Sequence, residues 1–123
     1  MIESVYFREG EFRACTPSCS LQDMDARLVS MLDLARAKAG IPFVLNSAFR
    51  PVAWEKSHGR AGTSAHCTGK AVDIGCGSSS ARYRVVTGLL AAGFTRIGIG
   101  RTFVHADCDP SKAQNAMWDY YNE

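Results

Sequence analysis

Two histidines and two aspartates fall where a short sheet could gather them. His66 and Asp73 lie seven residues apart in TSAHCTGKAVDIG, which runs from Thr63 to Gly75. His105 and Asp107 lie in TFVHADC, from Thr102 to Cys108. KAVDIG, the end of the first segment, and TFVHADC read as strands, and successive side chains of a strand point to opposite faces. In the first, Val72 and Ile74 point one way while Ala71, Asp73 and Gly75 point the other. In the second, Phe103, His105 and Asp107 share a face, with Val104 and Ala106 opposite. If the two strands are neighbours, Asp73 and His105 converge. His66, at the mouth of the loop before its strand, can fold over to join them.

Two imidazoles and one carboxylate satisfy three positions of a tetrahedral zinc, and a catalytic site keeps the fourth for water. Zinc lowers the pKa of that water toward about 7. The spacing alone also fits a plain loop histidine beside a strand-end carboxylate, with no ion between them. The third histidine, His58, sits in a polar, glycine-containing loop and is expected at the solvent. Gly69 lets the chain turn closely between His66 and the strand, where a Cβ could obstruct a metal or substrate.

The elements that must hold these residues follow from pattern. The chain has 123 residues, which suits one domain spanning 1–123. Residues 1–19 read as an irregular N-terminal arm and 109–123 as a C-terminal tail, polar until MWDYY. A helix is expected from Leu21 to Ala39, because Leu21, Met24, Leu28, Met31, Leu32 and Ala35 recur at helical spacing. Ser20 is its N-cap, Asp23 and Asp25 favour its positive end, and Gly40 with Pro42 stops it. PFVLNSAF follows as a strand. RPVAWEKSHGRAGTS has no apolar period and reads as a long loop, a feature often functional in a small domain. KAVDIG is the next strand. Ser78 to Ser80 cap a second helix over about 81–92, with Val85, Val86, Leu89 and Leu90 on its buried side. FTRIGIG and TFVHADC close as two strands. This order implies an α+β fold: a small, mostly antiparallel sheet with two main helices packed on it.

Composition narrows the partners. Net charge is +2, too small to argue for nucleic acid. No stretch reaches the length of a membrane span, and the first fifteen residues hold no apolar run of a secretory signal. The expected location is therefore the cytoplasm of the producing cell, with another route of release if the target lies outside. Five cysteines, an odd number, argue for free thiols over a disulfide scaffold. Cys15 and Cys19 in CTPSC could be half of a metal site, but no second pair follows at matching spacing.

Taken together, NSAFRP, SAHCTGKAVDI and GFTRIGIGRTFVHAD resemble the zinc D-alanyl-D-alanine carboxypeptidase family. That group includes VanX-type dipeptidases and phage L-alanyl-D-glutamate endolysins, and shares its fold with the hedgehog signalling domain. Its pattern of Ser, His, Gly, Ala, Asp and Ile, followed by a later His, is met by Ser64, His66, Gly69, Ala71, Asp73, Ile74 and His105. The resemblance spans about 41–107. It implies one zinc per chain on His66, Asp73 and His105, and a hedgehog/DD-peptidase-like fold. It implies a role for Arg50 near the scissile carbonyl, where a guanidinium can donate two hydrogen bonds to an oxyanion or a carboxylate; on its own Arg50 reads equally as a solvated loop-edge charge. It further implies contact of Ser64 with substrate, and a monomer acting on peptidoglycan stem peptides.

One position departs from the family. Many members carry an acidic general base three residues before the last histidine, and here Thr102 stands there. The sub-group with a histidine five residues before is not matched either, because that residue is Gly100. Asp107 shares the face of His105, about 6.5–7 Å along the strand. It could take a proton from water, or orient His105. Asp109, Glu55 and His58 are the next candidates. The expected activity is a zinc-dependent carboxypeptidase or endopeptidase of cell-wall peptides. The alternative is a non-catalytic zinc-containing binding or virion-structural module. No residue distinguishes a D-Ala-D-Ala bond from an L-Ala-D-Glu bond.

Overall fold

The computed structural model describes residues 1–121. Five strands form one sheet: β1 (Val44–Ser47), β2 (Ala71–Gly75), β3 (Arg96–Ile99), β4 (Phe103–Asp107) and β5 (Ala116–Asp119), in the order β1-β2-β4-β3-β5. β1, β2, β4 and β3 pair antiparallel, and β5 lies parallel to β3. The α+β class holds, but the sheet is mixed rather than mostly antiparallel. The cause is the C-terminal tail, 109–123, expected to be polar until MWDYY: after β4 it crosses over and adds β5 to the far edge. Its last two residues, 122–123, lie outside the described residues.

The helices also differ in detail. The span expected as one helix from Leu21 divides in two, and each part uses one of the capping signals. Ser20 caps a short 3₁₀ turn, Leu21–Asp23, accepting from the Gln22 N–H while Asp23 reaches back to the Ser20 N–H at 2.9 Å. After an extended Met24, Asp25 starts α2 (Ala26–Ala39), accepting from the Arg27 and Leu28 N–H groups at 2.9 and 3.1 Å. Gly40, at φ 72°, ends it in the left-handed conformation that a glycine tolerates. The arm expected to be irregular contains α1 (Glu9–Arg13), and the expected long loop contains α3 (Val52–Ser57) behind Pro51. Such short helices carry too few turns for an apolar period to show. α4 (Ser79–Ala91) is capped by Ser78, and its Leu90 is half exposed, not buried.

One face of the sheet is apolar. Leu45, Val72, Ile74, Ile97, Val104 and Ala106 join Leu28, Val29, Leu32 and Ala35 of α2 and Val85 and Leu89 of α4 in a single core. Each Val, Leu or Ile side chain among them contributes roughly 1.5–3 kcal/mol when fully buried. α2 and α4 meet closely at Gly88, where a Cβ would lie 2.7 Å from that of Ala39. Among the described residues, no helix is long and apolar enough to cross a membrane.

The opposite face is polar in its middle. A single row crosses every strand: Ser47 lies opposite Asp73, Asp73 opposite His105, His105 opposite Gly98, and Gly98 opposite Trp118. A register shift between Leu45 and Ser47 brings Ser47 into that row, the kind of local re-aiming that a bulge provides.

Candidate metal centre

Direct pairing of β2 with β4 sets Asp73 beside His105, with Asp73 Oδ1 3.0 Å from His105 Nδ1. His66 arrives from a 3₁₀ turn, Ala65–Thr68, immediately before β2, and its Nε2 lies 3.4 Å from the same Asp73 Oδ1. Each of the three residues offers one ligand atom, and these atoms all lie within 4.8 Å of one another. Two imidazole nitrogens and a carboxylate oxygen form a donor set suited to zinc. All three side chains are buried, so the set is held by the fold rather than by solvated surface groups.

Each imidazole is oriented from outside. His66 Nδ1 lies 2.7 Å from the Ala48 carbonyl. A carbonyl only accepts, so Nδ1 carries a proton and Nε2 is the nitrogen turned to the centre. His105 Nε2 lies 2.7 Å from Asp107 Oδ2, which leaves Nδ1 facing Asp73. Burial opposes a charge on His105, but the bonds to Asp107 and Asp73 outweigh it and raise its pKa above the ordinary 6.5. Burial likewise opposes ionisation of Asp73, and hydrogen bonds from His105 and His66 overcome it, holding Asp73 well below the usual carboxylate range.

Arg50 ties the centre to its wall. Its Nη2 donates to Asp73 Oδ2 at 2.9 Å, its Nη1 to Glu55 Oε2 at 3.2 Å and its Nε to Ser47 Oγ at 2.9 Å. Three of its five N–H groups are thus engaged, and each terminal nitrogen keeps one more. Ser64 Oγ donates to Glu55 Oε2 at 2.7 Å. Desolvation works against the Glu55 charge, and the bonds from Ser64, Cys67 and Arg50 prevail, lowering its pKa below 4.5. Arg50, Glu55, Ser64, His66, Asp73 and His105 line one cleft of about 260 Å³.

Several expectations change here. Asp107 does not line the cleft. It sits beyond the far nitrogen of the His105 ring, with Oδ1 engaged by Arg96 Nε at 2.7 Å and by the Asp109 N–H at 3.1 Å. Strand parity did place it on the face of His105, but it lies outside the cleft, behind the ring that it orients. Asp109 bonds Ser111 and pairs with Lys112 away from the cleft. His58 is exposed and stacks on Trp54. Thr102 is exposed and absent from the lining. Gly69 serves packing instead of substrate access: at φ 70°, a Cβ there would collide with the Asp23 carbonyl and lie 2.9 Å from Met24 Cα.

The orienting role of Asp107 leads to an expected result. Asp107→Asn should keep the fold and weaken zinc binding by about 10- to 100-fold, the usual effect of losing such an outer partner. Competition against a chromogenic chelator measures this. Unchanged affinity would show that His105 needs no carboxylate behind it.

Aromatic residues close the other side. Phe103 and Tyr120 line the cleft, and the Trp118 ring lies 5.7 Å from that of His105. The wall depends on Gly98, where a Cβ would stand 2.7 Å from Trp118 Nε1 and from the Tyr120 ring. The apolar MWDYY at the end of the tail carries β5 and these contacts. Glu55 stood among the next candidate bases, and the structure places it on the cleft wall by way of α3, a helix too short to read.

A cleft floored by two histidines and an aspartate, with an arginine and a glutamate on its wall, defines the zinc-peptidase class of site. The family comparison agrees: the model described as Peptidase M15 matches residues 5–109. The chain belongs to the Peptidase M15 family, a family of zinc metallopeptidases. The match ends before β5, so Trp118 and Tyr120 lie outside it. No curated protein matches the chain.

Proposed function

We propose that this protein hydrolyses short peptides of bacterial peptidoglycan, as a D-Ala-D-Ala carboxypeptidase or an L-Ala-D-Glu endopeptidase, with one zinc held by His66, Asp73 and His105. The observation that carries the reading is the placement of those three groups at the base of a cleft whose wall presents Arg50 and Glu55. Zinc in such a site supplies a Lewis acid and a water acidified toward neutral pH. Ala48 and Asp107 keep the two imidazoles turned for binding. Arg50 uses its remaining N–H groups on the substrate carbonyl oxygen as negative charge develops there. Glu55, ionised at neutral pH, accepts a proton and returns it to the leaving amine, the role left open by Thr102. Ser64 and Arg50 fix the Glu55 carboxylate for that transfer.

The test is digestion of purified cell-wall fragments by zinc-loaded protein, with and without a chelator. Amine groups should appear only without chelator, and mass spectrometry of the products identifies the bond. Zinc bound at one per chain with no release from any fragment would reject the peptidase reading in favour of a zinc-containing binding module.

A further inference from the structure

We propose that Arg60 is a carboxylate-binding subsite of the cleft and selects substrates bearing an acidic group beside the scissile bond. The inference rests on the peptidase reading above and adds a specificity residue to it.

The argument is a charge count. Two cationic side chains line the cleft, Arg50 and Arg60. Arg50 is already paired with both Glu55 and Asp73. It can still donate hydrogen bonds, but its charge is matched twice over. The Arg60 guanidinium has no ion pair or side-chain hydrogen bond among the described residues. Apart from a bound zinc, the permanent positive charge on offer to a ligand is therefore on Arg60.

Its position is defined without using that charge. The Arg60 N–H donates to the Glu55 carbonyl at 2.9 Å, which ties the loop to the end of α3. The guanidinium carbon lies 5.6 Å from the centre of the Trp54 ring. Stacking on an aromatic face restrains a guanidinium while leaving its in-plane N–H groups free. Those donors match a carboxylate in two-point geometry. Across the cleft, Phe103 and Tyr120 present apolar surface, so the opposing walls offer a charge on one side and packing on the other. A surface arginine with no ligand would more simply pair with a nearby carboxylate, and Glu55, the adjacent one, is already turned to Arg50 and Ser64.

A stem peptide offers two kinds of carboxylate: a C-terminal α-carboxylate, or the side-chain carboxylate of a glutamate. Four matched peptides separate them, with the C-terminus free or amidated and the side residue glutamate or glutamine. For whichever carboxylate Arg60 reads, Arg60→Gln should raise KM by about 10- to 100-fold, as expected for loss of a charged hydrogen bond. kcat should change little, and the peptide lacking that carboxylate should be unaffected. Arg60→Lys should recover part of the loss, because it restores charge without the planar fork. Equal KM values for wild type and Arg60→Gln on all four peptides would overturn the proposal.

If no peptide is hydrolysed, the peptidase reading fails, and Arg60 is judged by binding instead. The probe is an N-acetylated dipeptide with a free carboxylate, compared with its amide and titrated into zinc-loaded protein while the Trp54 indole resonance is followed. A shift for the acid that Arg60→Gln abolishes supports the subsite. The same shift in both proteins, or none in either, overturns it.

Discussion

His66→Ala, purified with zinc present, should carry far less than one zinc per chain and hydrolyse its substrate at least about 10³-fold more slowly. Several kcal/mol of stabilisation from the metal corresponds to that factor at 1.36 kcal/mol per tenfold. The three ligand atoms come from a turn and two strands, and removing one leaves two donors for an ion that binds through three protein groups in catalytic sites. Elemental analysis and initial rates measure the two effects. A variant that retains one tightly held zinc would remove His66 from the ligand set. The same centre should lose zinc on acidification. In the metal-free protein the His105 proton is held by Asp73 and Asp107, a stabilising arrangement complete below 6.5 and lost as pH rises through the raised pKa. Zinc must displace that proton, so affinity should fall as pH drops through the same raised value.

Glu55→Gln should retain zinc and lower kcat by about 10²- to 10⁴-fold, the range for a lost general acid–base. The amide keeps an oxygen to accept from Ser64 and Arg50, so the wall stays in place while the proton acceptor is removed. The lowered pKa of Glu55 means that the wild-type carboxylate is ionised throughout the neutral range. An acid limb of activity near neutrality is therefore assigned to loss of zinc from the histidines. Unchanged kcat would show that no protein base is needed at Glu55. Loss of zinc together with activity would instead make Glu55 a support of the centre, acting through Arg50 on Asp73.

Much of this was open to reading in the residues themselves. Strand parity is a local property, so Asp73 and His105 could be placed on polar faces, and Val72, Ile74, Val104 and Ala106 on apolar ones, before any pairing was known. The caps Ser20 and Ser78 and the stop at Gly40 also act over a few residues, and each is used, while Asp25, expected only to favour the helix's positive end, caps α2. What parity could not show was distance across the sheet. It placed Asp107 on the correct face, yet only the pairing of β4 between β2 and β3 turns Asp107 toward Arg96 and the outer edge of His105. Glu55 could be named by residue type as a candidate base, but its helix and β5 were not read, because short elements carry little periodicity and owe their form to what they pack against. The local pattern determined which groups could meet. The tertiary fold decided which atoms of those groups face the cleft: burial makes each polar atom find a partner, and Arg50 finds Asp73 of β2 while Asp107 finds Arg96 of β3.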